Sequence, residues 1–291
     1  MISRFKGILI SMRPWQWAKN LFLFTGLLFS KNLFQTSLLV RVAEGFILFC
    51  FAASSIYIYN DIQDRLEDRR HPIKGLRPLA KGTVKVPQAY GASILLAGVA
   101  LVLGFVLDRV FSAFLLVYLL LNLAYSLKIK EIVILDVMFV ASGFFLRVLA
   151  GTTLAGVTPS DWLIICTITL SLFVGFSKRR NELVLLGENA DYQRKVLKHY
   201  SISFLEQMIS IMTACSIMSY ILYTVSPETV ERFGTRNLVF TVPFVLFGIF
   251  RYFYLIYLRK MTENPIDLIL KDIPSLLNVL LWLGAILLII Y

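Results

Sequence analysis

The sequence predicts an all-α integral membrane protein with nine transmembrane helices. Of its 291 residues, 58% are hydrophobic, and the mean hydropathy is +0.74. That apolar content exceeds what the core of one soluble domain buries. A membrane-spanning helix needs about 20 mostly apolar residues. Windows of this kind lie near residues 20–40, 42–61, 87–107, 111–127, 132–155, 161–178, 203–225, 237–258 and 274–291.

The amino-terminal segment, residues 1–19, is predicted to lie on the membrane interface. Arg4 and Lys6 are dispersed among apolar residues, and Trp15 and Trp17 follow, a residue type enriched at headgroup level. The segment has no small-residue cleavage pattern, so we expect it to be retained. We predict one polytopic domain over residues 1–291, with hydrophilic loops at 62–86 and 178–200.

Charge sets the predicted orientation. The amino terminus and alternate loops carry 22 lysines and arginines, whereas the opposite side carries 5. The positive-inside rule places the basic loops in the cytoplasm, and nine spans then put the amino terminus inside and the carboxyl terminus outside. The net charge of +11 does not indicate nucleic-acid binding, because the cations cluster between hydrophobic segments. Each of the three cysteines lies in an apolar run, which argues against disulfides and zinc.

An acidic run ends the second window. Asn60, Asp64 and Asp68 are spaced by four residues, so a helix would place an amide oxygen and two carboxylates on one face, with Asp61 beside them. Hard oxygen ligands in that number suit magnesium, or manganese. The alternative is a solvated acidic helix end balanced by neighbouring arginines. The number of carboxylates, and the cations Lys74 and Arg77 just downstream, favour the metal site.

Basic residues near this run are predicted to bind phosphate oxygens that a metal leaves free. Lys178 and Arg179 lie in a second basic segment, for which membrane topology is the competing explanation. Asp136 and Arg147 fall inside the fifth window, where an ionisable side chain is costly unless it has a partner or a function. A structural ion pair is the alternative for Arg147. Nucleophilic triads, Walker loops and dinucleotide-binding glycine patterns are not found in the sequence.

These motifs resemble the UbiA prenyltransferase superfamily, whose first acidic motif, Asn-Asp-x-x-Asp-x-x-x-Asp, is intact from Asn60 to Asp68. The resemblance covers nearly the whole chain. Further strings resemble the branch that transfers phosphoribose to polyprenyl phosphates. They are Arg13-Pro14-Trp15-Gln16-Trp17-x-Lys19-Asn20, Asp68-Arg69-x-His71-Pro72-x-Lys74-x-x-Arg77-Pro78, Tyr125-Ser126 with Lys128, and Asp136 with Arg147 and Gly151. The second aspartate-rich motif of many aromatic prenyltransferases is replaced by Glu182, Glu188 and Asp191 among cations.

The resemblance implies a UbiA-like bundle in a bacterial inner membrane, with an active-site cavity that faces the cytoplasm. It implies transfer of 5-phosphoribose from phosphoribosyl diphosphate to a polyprenyl phosphate, with release of diphosphate. The implied donor-phosphate contacts are Arg69, Lys74, Arg77, Arg147, Lys178, Arg179 and Arg194. The implied acceptor-phosphate or second-loop contacts are Gln16, Lys19, Tyr125, Lys128 and Glu182. The rival functions are an aromatic prenyltransferase with a polyprenyl diphosphate donor and a transporter of anionic metabolites.

Overall fold

The computed structural model describes residues 2–69, 74–186, 195–259, 261 and 265–291, and this part of the chain contains helices and connections but no strand. The α-helices are α1 (Ile2–Ser11), α2 (Phe24–Leu28), α3 (Thr36–Gln63), α4 (Arg65–Asp68), α5 (Val86–Leu107), α6 (Arg109–Leu127), α7 (Leu135–Leu154), α8 (Asp161–Leu186), α9 (Ile202–Val225), α10 (Pro227–Phe233), α11 (Val242–Phe253), α12 (Pro265–Lys271) and α13 (Ile273–Ile290). Short 3₁₀ helices occupy Pro14–Leu23, Lys74–Leu76, Ile129–Glu131, Lys195–His199 and Asn237–Thr241, and a π-helical turn covers Tyr254–Leu258.

Within the described residues, eight helices are long and apolar enough to cross a membrane. They match eight of the nine predicted windows. The first window, 20–40, is not one helix, so the count of nine is not confirmed. A ten-residue 3₁₀ helix and the five-residue α2 fill its first part, and α3 begins within it at Thr36. Hydropathy does not detect the break between them, where Lys31 takes a positive φ of 62°.

The chain divides into two compact units, the first formed by Met1–Lys130 with Gly143–Pro159 and the second by Glu131–Ser142 with Ser160–Tyr291. In the first unit α3 packs on α5, and both helices bury small residues, among them Ala52, Ala53 and Ala89. The Ser93 hydroxyl donates to the Ser55 carbonyl across the same contact at 2.9 Å. Helix α3, which carries the acidic run, is therefore packed against and hydrogen-bonded to α5.

The amino-terminal 3₁₀ helix and α2 pack against the part of α7 that belongs to the first unit. A Cβ atom at Gly151 would overlap the carbonyl group of Leu23, and one at Gly26 would overlap Thr152. Glycine at these two positions therefore permits the close approach, and the broken segment that replaces the first predicted span is a packed element.

In the second unit, α8 packs on α9 around a core that includes Phe173, Leu205 and Ile209. Helix α8 continues to Leu186, about two turns beyond the window predicted for it. Lys178, Arg179 and Glu182 therefore lie on a helix, and the predicted loop 178–200 is wrong over its first nine residues. The apolar pattern ends at residue 178, but the helix is extended by ion pairs among its polar residues.

Asp272 caps α13 and carries a stability prediction. Its carboxylate accepts hydrogen bonds from Arg251 Nε at 3.0 Å and Nη2 at 2.8 Å, and from the Ser275 backbone N–H at 3.0 Å. The bonds from Arg251, followed by those from Ser275, lower the pKa of Asp272 to about 2. Because the folded pKa is lowered, this stabilisation is present above the unfolded value of about 4 and is lost as the pH falls towards 2.

We expect Asp272→Asn, which keeps a capping side chain, to lower the Tm in detergent at pH 7 by loss of the ion pair. Asp272→Ala should lower it further, since loss of a cap costs about 1 kcal/mol. The difference between wild type and Asp272→Asn should shrink below pH 4. Thermal unfolding followed by circular dichroism at pH 7 and pH 2.5 measures both effects. Equal Tm values for wild type and Asp272→Asn at pH 7 would contradict the ion-pair contribution.

Candidate active site

The acidic run keeps its predicted spacing at the end of α3. Helix α3 ends at Gln63 and α4 begins at Arg65, but helical hydrogen bonds continue across the junction. The Asp64 N–H donates to the Asn60 carbonyl at 2.9 Å, and the Asp68 N–H donates to the Asp64 carbonyl at 2.8 Å. Asn60, Asp64 and Asp68 therefore lie on successive helical turns, as their four-residue spacing predicted.

The amide of Asn60 and the carboxylate of Asp64 are bonded to the end of α6 and the residues after it. The Ser126 hydroxyl donates to Asn60 Oδ1 at 2.5 Å, and Lys130 Nζ lies 3.1 Å from Asp64 Oδ1. Asp64 keeps 35% of its side chain exposed. The most accessible carboxylate of the site is thus half-buried and lies next to a cation.

Two arginines bind the other two carboxylates. Arg77 Nη1 lies 3.1 Å from Asp61 Oδ1 and 2.7 Å from Asp68 Oδ2, so it bridges them. The same Asp61 oxygen accepts a hydrogen bond from Arg13. Asp61 is 2% exposed and Asp68 4% exposed, and buried carboxylates need such partners because desolvation disfavours an unpaired charge. Arg13 also stacks over the Tyr57 ring, 5.3 Å from its centroid.

The site residues predicted from the sequence did not include Arg13, Ser126 or Lys130. Their partners lie 48, 66 and 66 positions away along the chain. The strings that resemble the superfamily include or adjoin Arg13, Ser126 and Lys130. That resemblance is the sequence feature that pointed to these residues. The left-handed backbone of Arg13, with φ 53° and ψ 62°, was not visible in the sequence.

The donor set fits a hard divalent cation. Asp64 Oδ2 and Asp68 Oδ1 make no hydrogen bond within the described part of the chain, and each carboxylate therefore keeps an oxygen for a metal. An amide oxygen and two carboxylates suit Mg²⁺, which retains other positions for water and phosphate. No cluster of three or more His, Cys, Asp and Glu side chains with metal-site geometry occurs among the described residues.

The other predicted phosphate contacts of the first unit differ in exposure. Arg69 is exposed and donates from Nε to the Ala80 carbonyl at 3.0 Å. Lys128 is exposed at the end of α6. The remaining candidates are half-buried, namely Gln16, Lys19, Lys74 and Tyr125. These side chains of the first unit are therefore at least partly accessible.

Arg147 is buried, with 4% of its surface exposed. Its Nε donates to Asn20 Oδ1 at 2.7 Å, Nη1 to the Gly143 carbonyl at 2.6 Å, and Nη2 to the Tyr118 hydroxyl at 3.2 Å. The rings of Phe49, Tyr118 and Phe144 lie 4.8–5.7 Å from its Cζ atom. In the described chain its partners are neutral, so the structural ion pair considered as an alternative is not formed.

The second unit contains a separate buried ion network. Arg179, 1% exposed, donates to Asp136 and to Glu182, each at 2.5 Å. The Tyr200 hydroxyl donates to Asp136 at 2.7 Å and accepts from the Ile134 N–H at 2.7 Å. Burial, followed by the hydrogen bond to Asp136, raises the pKa of Tyr200. Asp136 thus has its partners within the second unit, Arg179 of α8 and Tyr200.

The remaining second-unit candidates are Lys178 and Arg194. Lys178 Nζ lies 3.9 Å from Glu182. Arg194 lies outside the described residues. The donor contacts predicted for Lys178, Arg179 and Arg194, and the role predicted for Glu182, stay predictions.

Comparison with known proteins identifies the family. The model of the UbiA prenyltransferase family matches residues 20–267. The chain belongs to the UbiA prenyltransferase family. A solved structure described as a UbiA homolog from Archaeoglobus fulgidus bound to GPP and Mg²⁺ has a TM-score of 0.75 at 18% identity, and the match covers 98% of this chain and 99% of that one. This similarity confirms the predicted UbiA-like helical fold.

Two curated UbiA relatives carry a narrower name. The decaprenyl-phosphate phosphoribosyltransferase of Corynebacterium glutamicum is 33% identical over 252 residues, which cover 84% of this chain and 75% of the relative. The decaprenyl-phosphate phosphoribosyltransferase of Mycolicibacterium smegmatis is 31% identical, with 96% of this chain and 91% of the relative covered. The branch predicted from the sequence motifs is therefore represented among the chain's relatives.

Proposed function

We propose that this UbiA family protein is a magnesium-dependent membrane phosphoribosyltransferase. It transfers 5-phosphoribose from phosphoribosyl diphosphate to a polyprenyl phosphate of the decaprenyl type and releases diphosphate. The observation that carries the proposal is the cluster at the end of α3, where Asp64 beside Lys130 and Asp68 beside Arg77 each have an oxygen that makes no hydrogen bond in the described chain. Carboxylates beside cations suit a substrate that presents both a metal ion and phosphate groups. The names of the two curated relatives support the choice of substrates.

Asn60, Asp64 and Asp68 would hold Mg²⁺, with Mn²⁺ as a substitute, and the bound metal would neutralise charge that develops on the departing diphosphate. We do not include Asp61, because two arginines already balance its single negative charge. Arg69, Lys74 and Arg77 lie next to the motif in the chain and bind the donor phosphates in this proposal. Their positive charges stabilise the same leaving group.

The acceptor requires positioning more than activation. A phosphate monoester is already anionic near neutral pH, so its oxygen can attack the anomeric carbon without a general base. One C–O bond to diphosphate breaks, and one C–O bond to the acceptor phosphate forms. Gln16, Lys19, Tyr125 and Lys128 are half-buried or exposed polar groups of the first unit, and we propose that they bind the acceptor phosphate.

The rival within the family is prenyl transfer to an aromatic acceptor, and the geranyl diphosphate named for the archaeal structure is the observation that favours it. Purified protein is incubated with Mg²⁺ in two parallel reactions. The first contains polyprenyl phosphate and phosphoribosyl diphosphate labelled in the ribose. The second contains an aromatic acid and labelled polyprenyl diphosphate. Lipid extraction separates the products. We expect ribose label in the lipid fraction only with polyprenyl phosphate present. Prenylated aromatic product without ribose label would overturn the proposal.

The proposed donor also requires a cytoplasmic site, since phosphoribosyl diphosphate is too highly charged to cross lipid. Five candidate spans lie between the exposed residues Lys81 and Glu231 in the described chain. Because that number is odd, these two residues should lie on opposite sides of the inner membrane. In a background without native cysteines, we expect Lys81→Cys to react with an impermeant thiol reagent only after permeabilisation. Glu231→Cys should react in intact cells. The reverse pattern would place the acidic run outside and exclude this donor.

A further inference from the structure

The amino-terminal 3₁₀ helix lies along α3 as a docked arm, defined here as residues Arg13–Leu23. Three side-chain hydrogen bonds join the arm to α3, and they pair Arg13 with Asp61, Trp17 Nε1 with Ser54 Oγ at 3.1 Å, and Asn20 Nδ2 with Cys50 Sγ at 3.1 Å. As the arm advances, its partners move back along α3, so the two segments run antiparallel. The arm therefore extends from the acidic run into the packed interior of the first unit.

The 3₁₀ geometry explains which side chains dock. This helix has three residues per turn, so residues three apart are eclipsed. Trp17, Asn20 and Leu23 share one face, and Asn20 and Leu23 are buried. Gln16 and Lys19 share the neighbouring face and remain half-buried. The docked face thus determines where the two predicted acceptor contacts lie.

Arg147 anchors the inner end of the arm. Its Nε donates to Asn20 Oδ1, and hydrogen bonds to Gly143 and Tyr118 use its other two nitrogens. Three aromatic rings surround the guanidinium, which lets a buried cation persist without a carboxylate partner in the described chain. Three of the five guanidinium N–H groups already donate within the unit, and the side chain is 4% exposed among three rings. This geometry favours a bond to the arm over direct contact with a phosphate.

We propose that Arg147 is a positioning residue, which holds Asn20 and thereby the whole arm, so that Gln16 and Lys19 meet the acceptor phosphate. The inference rests on the proposed function for the identity of that acceptor. It assigns Arg147 a role different from the donor contact predicted from the sequence. It also adds Asn20, which sequence reasoning did not include among the site residues.

Cys50 provides a reporter of arm docking that does not depend on activity. It is 1% exposed beneath Asn20. In a full-length Cys166→Ala/Cys215→Ala background in detergent, Cys50 is the only thiol, and we measure its rate of alkylation by N-ethylmaleimide. Asn20→Ala and Arg147→Met should each raise that rate at least about tenfold, because undocking exposes the thiol through local opening. Arg41→Gln, which breaks the Arg41–Asp108 ion pair of the same unit, should leave the rate unchanged.

An unchanged alkylation rate in Asn20→Ala and Arg147→Met would overturn the anchoring role. If Arg147→Met does not fold, Arg147→Lys decides, since lysine keeps the charge but cannot make the three separate bonds of the guanidinium. An accelerated rate in Arg41→Gln equal to that in Asn20→Ala would also overturn the role, because it would reflect general loosening of the unit.

Steady-state kinetics then test positioning. Asn20→Ala and Arg147→Lys should raise the KM for polyprenyl phosphate several-fold, with little change in the KM for phosphoribosyl diphosphate. The KM for polyprenyl phosphate of the Asn20→Ala/Arg147→Lys double variant should not exceed that of the more impaired single variant, since both changes interrupt one connection. Equal increases in the two KM values would overturn the inference. Absence of phosphoribosyl transfer by the wild-type protein would instead refute the proposed function, while the Cys50 result would still report arm docking.

Discussion

Asp64→Asn and Asp68→Asn should each lower turnover by about 100-fold or more while the protein still folds, an effect typical of removing one group that stabilises transition-state charge. Each change replaces a charged metal ligand by an amide of the same size, so it opens no cavity. Glu67→Gln is the matched control, because Glu67 lies between the two aspartates, is exposed and has no proposed role. Turnover is measured at saturating donor and acceptor over a range of Mg²⁺ concentrations.

The magnesium dependence distinguishes a metal ligand from a structural carboxylate. In the wild type, chelation should abolish turnover and added Mg²⁺ should restore it, whereas the two variants should require higher Mg²⁺ for their residual activity. Near-normal turnover of both variants at limiting Mg²⁺ would contradict the metal assignment. A comparable loss in Glu67→Gln would show that the acidic segment acts through its total charge.

Arg77→Gln should lower both turnover and stability. Arg77 bridges Asp61 and Asp68, and its removal leaves Asp68 buried without its described cation partner. Breaking a buried ion pair in this way costs about 3 kcal/mol or more. In the Arg77→Gln/Asp68→Asn double variant the orphaned charge is gone, so we expect much of the lost stability to return while turnover stays low. Thermal unfolding and the transfer assay on the same samples separate the two effects.

The double variant is the discriminating member of this series. Recovery of turnover together with stability would show that Arg77 acts only to balance charge in the fold. Failure of stability to recover would show that Arg77 stabilises the loop by contacts other than the bridge to Asp68. Lys85→Gln serves as the charge control, since Lys85 is exposed in the same loop.

Periodicity and spacing predicted the parts of this protein that depend on local sequence. Apolar runs located eight helices because each must satisfy its own backbone hydrogen bonds in lipid. The four-residue spacing from Asn60 to Asp68 predicted a shared helical geometry, and hydrogen bonds through Asp64 confirm the spacing. Each of these features depends only on residues close together in the sequence, so it could be predicted without knowledge of tertiary contacts.

The predictions were wrong or incomplete where tertiary contacts determine the local structure or the partner of a side chain. Hydropathy placed a span at 20–40, but the chain there is broken, and Gly26 and Gly151 allow it to pack closely on α7. Helix α8 continues beyond its apolar stretch, and the ion network of Arg179 lies in this polar extension. Sequence composition had assigned the extension to a loop. The partners of Arg13 and Lys130 could not be predicted from spacing, because they lie on distant segments.

The central claim is that an oxygen of the acceptor phosphate attacks the anomeric carbon of phosphoribosyl diphosphate. Polyprenyl phosphate labelled with ¹⁸O in its three terminal oxygens is incubated with unlabelled donor, purified protein and Mg²⁺, and both products are analysed by mass spectrometry. The account predicts a polyprenyl phosphoribosyl diester that retains all three labelled oxygens, together with unlabelled diphosphate. Labelled oxygen in the released diphosphate, or no diester product, would contradict it.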